Sequence, residues 1–284
     1  MFITRPLPDN IHIQEKILYS DLNENNYFDL ILPNERRTNS PVVVWYYSGA
    51  WVSKDIDSSI NMAANLASRY GIVTALVHYP LSKKAEKSNI KHPIHVKDSL
   101  KGFLNVTSTI VKYGFNDKNV YIGGHCAGAH ISSLIAFNTN EYILNDNFDN
   151  KSLAKIQNIK GVVLIDGIFD LKLLAKENLG YVSGFIAPAF GEDIKLEDEI
   201  MSTWDKASPQ YCINSPSKSK LSPKVLLIHS TNDTLVNVEQ SSNFSKKLEA
   251  LNYNVSNING DFGEHDQVPY NSRVLTILHN FIQS

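Results

Sequence analysis

The sequence predicts an α/β protein, a mostly parallel eight-stranded sheet with helices on both faces and a small helical cap. Three observations lead there. Short apolar, β-branched runs alternate along the chain with longer amphipathic ones. The 284 residues suit one large α/β domain with its own core, so residues 1–284 are read as a single domain. And residues 171–223 interrupt the alternation over a length too great for a plain connection.

The elements follow in order. Tyr27 to Pro33 (YFDLILP) alternates apolar and polar residues, as a half-buried strand does. Pro41 to Tyr47 (PVVVWYY) and Ile72 to Pro80 (IVTALVHYP) read as buried strands, with a helix from Ser58 to Tyr70 between them. A long helix runs from about Pro93 to Tyr113, with proline at its start, where the missing N–H costs nothing. NVYIGG follows as a strand and AGAHISSLIAF as a helix. The second half repeats the rhythm, with strands at Ile159 to Asp166, Lys224 to Ser230 and in YNVSNIN, and helices at Val238 to Leu251 and Tyr270 to Ile282. The interrupting segment holds Gly184, Pro188 and Gly191, an acidic stretch from Glu192 to Glu199, and a Ser/Lys/Pro-rich tail. It reads as a helical cap followed by a loop, with the acidic stretch a solvated face.

Composition narrows the function classes. A net charge of −2 leaves no electrostatic footprint for nucleic acid or an anionic membrane. Lys83, Lys84, Lys87, Lys91 and Lys97, and then Lys218, Lys220 and Lys224, form modest clusters that read as solvated faces; a charged tRNA as donor is disfavoured but stays open. Two cysteines make no disulfide framework. The N-terminal MFITRPLPDN has no signal-peptide core, and no run approaches the ~18 apolar residues of a membrane span. A reducing cytoplasm is the expected setting. No phosphate loop, dinucleotide fingerprint or metal motif is present, so neither cofactor nor metal is expected.

Gly124-His125-Cys126-Ala127-Gly128 stands between a strand and a helix and fits G-x-nucleophile-x-G. The glycines permit the sharp turn and close helix–strand approach, and the turn thrusts residue 126 out above the sheet. A thiol at a helix N-terminus is favoured as thiolate. Cysteine is also a common small core residue, so the partners decide. Such enzymes place nucleophile, acid and histidine in that chain order. Asp233 follows the strand KVLLIHS, and His265 lies in GDFGEHDQVP before the closing helix. The expected roles are Cys126 as nucleophile, His265 as general base and acid, and Asp233 as its orienter. After the strand PVVVWY, backbone N–H groups of Ser48, Gly49 and Ala50, with that of Ala127, are candidates for an oxyanion hole.

These stretches together resemble the kynurenine formamidase (arylformamidase) branch of the α/β-hydrolase fold, especially its fungal members, over most of the chain from about residue 40. That family carries His-Gly-Gly-x-Trp near the oxyanion hole and Gly-His-Ser-x-Gly at the nucleophile. Here the corresponding stretches are Tyr47-Ser48-Gly49-Ala50-Trp51 and Gly124-His125-Cys126-Ala127-Gly128. LIDGIFDLKLL and HSTND also look like the fungal enzymes. The resemblance implies hydrolysis of N-formylkynurenine with release of formate. The departures are Tyr47 for histidine, Ser48 for glycine and Cys126 for serine.

Sulfur would give a thioester, which amines attack more readily relative to water than they attack an oxyester. Two enzyme readings follow: a formamidase-like hydrolase that uses cysteine, and an acyl or aminoacyl transferase in which an amine resolves the thioester, cyclic dipeptide formation included. A non-catalytic ligand receptor ranks last, because Asp233 and His265 are both present. Tyr47, Trp51, Tyr79, His125, Phe169 and Phe185 are the candidate pocket residues, suited to a small hydrophobic or aromatic acyl donor. Asp266 is expected to point away from the triad, His92 and His95 to be surface histidines, and Cys212 to be an unreactive thiol. The oligomeric state is left open.

Overall fold

The computed structural model describes residues 8–35, 37–83, 89–143, 149–197, 199–215 and 222–284. Lys84, Lys87, Lys218 and Lys220, named above, lie outside the described residues, as does Asp198 within the acidic stretch. Eight strands make one sheet: β1 (Ile11–Leu18), β2 (Tyr27–Pro33), β3 (Val42–Tyr46), β4 (Val73–Val77), β5 (Val120–His125), β6 (Gly161–Ile165), β7 (Lys224–Ser230) and β8 (Val255–Gly260). Their order is β1-β2-β4-β3-β5-β6-β7-β8. The β1–β2 and β2–β4 pairs are antiparallel, and the pairs from β4 to β8 are parallel.

The central strands are continuous apolar runs because helices cover both their faces. Every residue of β3, β4, β5 and β6 is buried. A fully buried valine such as Val42 or Val44 contributes roughly 1.5–3 kcal/mol relative to exposure, so this stack of β-branched residues anchors the sheet. At the edge, β8 is half-exposed and its residues alternate with solvent.

Helix α1 (Asp57–Tyr70) buries Ile60, Ala63, Leu66 and Ala67 on one stripe, and Gly71 ends it in the left-handed conformation at φ 66°. Helix α2 (Ile94–Lys112) buries Val96, Leu100, Phe103 and Ile110. Helix α3 (Ala127–Phe137) is buried on nearly every side, which fits its almost wholly apolar sequence. Helices Glu239–Ala250 and Ser272–Gln283 follow β7 and β8.

Two stretches depart from the sequence reading. β1 was not expected as a strand, although the eight-stranded count is met. It is an edge strand with at best half-buried residues, and only Ile11, Ile13 and Ile17 pack on the core. The stretch after α3 carries two further helices, Thr139–Ile143 and Asn150–Gln157, the second capped by Asp149 accepting from Ser152 N–H. Between β6 and β7 the chain forms short helices at Leu171–Glu177, Leu179–Tyr181, Val182–Ile186, Ala187–Phe190, Thr203–Ala207 and Pro209–Cys212.

The parallel register decides where chemistry can occur. β3, β5, β6 and β7 end at one edge of the sheet, so Ser48, Cys126, Asp166 and Asp233 emerge there together. Ligands in open α/β sheets bind outside these carboxyl ends.

Candidate active site

β5 turns into α3 through Cys126, whose backbone stands at φ 55°, ψ −116°. That region strains a side-chain-bearing residue, and such strain clusters where the surrounding structure over-determines it. The glycines make the turn possible. A Cβ on Gly124 would lie 2.3 Å from the carbonyl carbon of Gly128, and one on Gly128 would lie 2.0 Å from the carbonyl oxygen of Tyr46. Cys126 N–H donates to Ile165 O at 3.0 Å and its carbonyl accepts from His130 N–H at 3.1 Å. Both ends of the turn are therefore pinned. The Cys126 side chain stands at the first turn of the helix and is almost fully buried.

Asp233 sits three residues beyond β7. Its Oδ1 accepts N–H groups from Leu235 at 2.8 Å and Val236 at 2.9 Å, and its Oδ2 lies 2.6 Å from His265 Nδ1. Burial works against the Asp233 charge. The hydrogen bond and charge of His265, with the two backbone donors, outweigh it and hold the carboxyl below its ordinary range. His265 opens the turn His265–Tyr270 after β8. With Nδ1 on Asp233, Nε2 is left to face Cys126. Burial alone would lower the proton affinity of His265. The negative charge of Cys126 and the hydrogen bonds to Asp233 and Cys126 raise it well above the ordinary imidazole value.

The loop after β3 bends back through three successive positive-φ residues, Gly49 (115°), Ala50 (49°) and Trp51 (63°). Gly49 is obligatory there, since a Cβ would lie 2.1 Å from Ser53 O. Ser48 bridges to Asp55 and closes the loop. Ala127 is the first residue of α3, so its N–H has no carbonyl one turn back to receive it. These are the four residues expected to hold an oxyanion.

Of the expected pocket residues, Tyr47 and Tyr79 are stacked at 4.7 Å between ring centroids, and Tyr79 Oη donates to Tyr47 O. Both are fully buried behind the loop, and the Cys126 charge reaches Tyr79. Trp51 is fully buried, with Nε1 donating to His130 Nδ1 and its edge against Phe190. Phe185 is half-buried against Tyr181.

Phe169, like Tyr47, Tyr79 and Trp51, has no exposed surface and lines no open pocket, which corrects the expectation for all four. Its ring stacks on Phe244 at 4.2 Å with no exposed surface, because its N–H is held by Gln240 Oε1 and the chain turns it into the core. His125 is a further correction. As the last residue of β5 it has no exposed surface, its ring lies 4.4 Å from that of His265, and it lines no open pocket. Asp266 does not point away: a carboxylate oxygen lies within 4.8 Å of ring nitrogens of His125 and His265. It also hydrogen-bonds Asp55, which burial and then the Asp266 charge raise above its ordinary range. His95 is not on the surface; it is buried and pairs with Ser82 Oγ at 2.9 Å. Burial pushes the Cys212 thiol up to about 12, so it stays protonated at neutral pH.

Two buried residues at the site were not anticipated. Asp166 directly follows β6 and His229 lies within β7, both fully buried next to Asp233. A separate groove of about 1140 Å³ opens at the far end of the strands, lined by residues such as Arg37, Tyr70, Lys118, Lys160 and Lys224. It is remote from Cys126 and contributes nothing to this site.

The sheet order, the strained elbow and the acid–histidine pair at the strand ends define an α/β-hydrolase. More narrowly, the chain belongs to the BD-FAE family, whose sequence profile matches residues 28–248. It is 28% identical over 233 residues to the kynurenine formamidase avaC of Aspergillus versicolor, covering 73% of this chain and 75% of that protein. It is 24% identical over 272 residues to the kynurenine formamidase of Scheffersomyces stipitis, covering 86% and 90%. The isoprenylcysteine alpha-carbonyl methylesterase ICME of Arabidopsis thaliana is 26% identical over 248 residues. That match covers 84% of this chain and 53% of the plant protein, so the chain spans about half of its length. Among solved structures, a truncated carbohydrate esterase from gut microbiota superposes with a TM-score of 0.77 at 18% identity, covering 98% of both chains. Esterase B from Lactobacillus rhamnosis gives 0.73 at 18% identity, covering 97% of this chain and 86% of that one. The relatives are hydrolases of esters and amides.

Proposed function

We propose that this protein is a thiol-dependent hydrolase of a small amide or ester, formamidase-like, working through a thioester on Cys126. The observation that carries the reading is the 2.6 Å Asp233–His265 pair at the same strand edge as the strained Cys126 elbow. In the first half-reaction the Cys126 thiolate attacks the substrate carbonyl carbon. The carbonyl π pair moves to oxygen, where backbone N–H groups from Ser48, Gly49, Ala50 and Ala127 are the intended donors. The bond to the leaving group breaks as the oxyanion collapses, and His265 Nε2–H gives its proton to the departing amine or alcohol. In the second half-reaction water attacks the thioester carbon and loses its proton to His265 Nε2. The C–S bond breaks, the acid is released, and the thiolate–imidazolium pair is restored.

The favoured substrate is a small hydrophobic or aromatic acyl donor, and N-formylkynurenine is the first to try, given the formamidase relatives. The helices between β6 and β7 are read as a cap over the site. The test is turnover of N-formylkynurenine by the purified protein beside Cys126→Ala. Turnover lost in the variant supports the reading; turnover equal in both refutes the thioester.

A second reading has one observation behind it, the sulfur itself. A thioester favours amine attack, so the same Cys126 site would serve an acyl or aminoacyl transferase. Added hydroxylamine or a primary amine would then discharge the acyl-enzyme faster than water and yield the amide. If water alone discharges it at every amine concentration, the transferase reading falls.

A further inference from the structure

His125 is a buried imidazole that the chemistry above does not use. It ends β5, has no exposed surface, and neither of its ring nitrogens is hydrogen-bonded. Its ring leans toward the His265 carbonyl without reaching hydrogen-bond geometry. Buried polar groups are ordinarily paired, so an imidazole with neither nitrogen satisfied calls for a reason. Burial, then the charges of His265 and His229, keep its proton affinity well below the ordinary imidazole value. It is therefore neutral, with one nitrogen whose lone pair is open to a donor or an ion.

What surrounds it is a set of metal-ligand atoms. One ring nitrogen of His125, one of His265 and a carboxylate oxygen of Asp266 lie within 4.8 Å of one another. The ligand atoms of one tetrahedral Zn²⁺ stand about 3.3 Å apart, given bonds of about 2.0–2.1 Å to nitrogen. No hydrogen bond holds the His125 ring and Asp266 is exposed, so both can move to close that gap. Asp55, hydrogen-bonded to Asp266, adds a second carboxyl at the mouth, and clustered acidic groups draw cations. Each histidine also has a carboxyl behind it. Asp233 Oδ2 lies 2.6 Å from His265 Nδ1, and Asp166 Oδ2, which makes no hydrogen bond, lies 3.9 Å from His125 Nε2. Carboxylates placed so are what orient metal-binding imidazoles. Asp166, His229 and Asp233 form a second group of the same span. There His229 Nε2–H donates to Val236 O at 2.8 Å and Nδ1 accepts from Ser241 Oγ at 2.6 Å, which leaves no lone pair for an ion. The sequence carries no metal motif because the ligands come from the end of β5 and the turn after β8, and only the fold brings them together.

We propose that His125, His265 and Asp266 form an inhibitory site for a divalent transition-metal ion such as Zn²⁺, which ties up His265 and halts both half-reactions. The inhibition, though not the binding, rests on the Cys126 acyl-transfer reading. Two imidazole nitrogens and one carboxylate oxygen suit Zn²⁺, with water in the fourth position. With Nδ1 on Asp233, His265 gives the ion its Nε2 lone pair, and any proton there leaves to solvent. While the ion is bound, Nε2 can neither protonate the leaving group nor take a proton from water. Asp266, at the surface, is where the ion enters and where a chelator reaches it.

The test uses tag-free protein stripped of metal with EDTA, and zinc chloride as the probe. Cys126→Ala removes the thiol, the other ligand an ion would find beside His265. Calorimetric titration of Cys126→Ala is expected to show one Zn²⁺ per chain. Adding His125→Gln or Asp266→Asn to it should weaken that binding about tenfold or more. No binding to Cys126→Ala, or an affinity that either replacement leaves unchanged, overturns the site. Should His125→Gln not fold, the exposed Asp266→Asn decides by itself. In the wild type, with p-nitrophenyl acetate as substrate, Zn²⁺ is expected to suppress both the burst of p-nitrophenol and the steady state, and EDTA to restore both. Suppression as strong in Asp266→Asn as in the wild type would place the ion on the thiol alone and overturn the proposal. A burst that survives in Cys126→Ala overturns the acyl-transfer reading instead, and the Zn²⁺ titration then decides the site independently.

Discussion

Sulfur at position 126 is meaningful only because of what surrounds it. Cys212 is the internal control: burial pushes that thiol up to about 12, whereas Cys126 faces a histidine that its charge helps to protonate. Iodoacetamide at neutral pH should therefore alkylate Cys126 well before Cys212, read by peptide mass. Equal labelling of the two would contradict the proposed reactivity of Cys126. Asp233→Asn should lower kcat/KM by roughly 10²–10⁴, since the amide cannot hold His265 in its working tautomer or stabilise the imidazolium. The burst and steady-state assay with p-nitrophenyl acetate reads this directly. The three residues proposed to react could be picked out in the sequence because each falls next to a local signature: the glycine-flanked elbow, the loop after KVLLIHS, and the loop before the last helix. Asp166 and His229 were not. Each is one polar letter in or just after an apolar strand run, where such a residue is usually the first of a loop. Only the sheet register shows that they sit side by side.

At the scale of elements, the elbow is the most constrained part of the chain. Gly128→Ala would put a methyl group 2.0 Å from Tyr46 O, a clash with backbone that no rotamer relieves. The expected cost is about 3 kcal/mol or outright failure to fold, measured as a fall in the urea midpoint. Gly71→Ala is the milder comparison, because nothing lies within 4 Å of its Cβ and only the φ of 66° is strained. Strands with continuous apolar runs and helices with a buried stripe were found within one or two residues of their ends, except that β4 stops at Val77, three residues before the expected Pro80. β1 was not, because an edge strand that buries little writes only a short alternation, Ile11 and Ile13, into the sequence. The short helices after α3 and between β6 and β7 were equally hard to bound. They owe their form to packing and single caps, such as Ser202 accepting from Asp205 N–H, more than to a long period.

For the whole molecule, the same buried charges tie stability to pH. Asp166, raised to about 8 when folded, contributes stability that is complete below its unfolded value of ~3.9 and is lost as pH rises through about 8. His265, also raised, adds a contribution present below ~6.5 and lost as pH rises through its folded value. Asp233, lowered, contributes above ~3.9 and loses that as pH falls through its folded value. The thermal midpoint should therefore be higher at pH ~5.5 than at pH ~9, and Asp166→Asn should flatten that slope; a midpoint that rises toward pH ~9 would contradict this balance of charges. The half-buried state of Cys212 carries one more consequence. A nucleophilic sulfur can be oxidised where a serine hydroxyl cannot, and peroxide would take Cys126 to a sulfenic acid. The usual protection is a neighbouring thiol that closes a disulfide before oxidation proceeds to the irreversible sulfinic stage. The chain's other cysteine is sunk against the core as a neutral thiol, so it offers none. Recovery of an oxidised enzyme would depend on a small thiol from solution, and the redox poise of its surroundings would set how much of the protein is active.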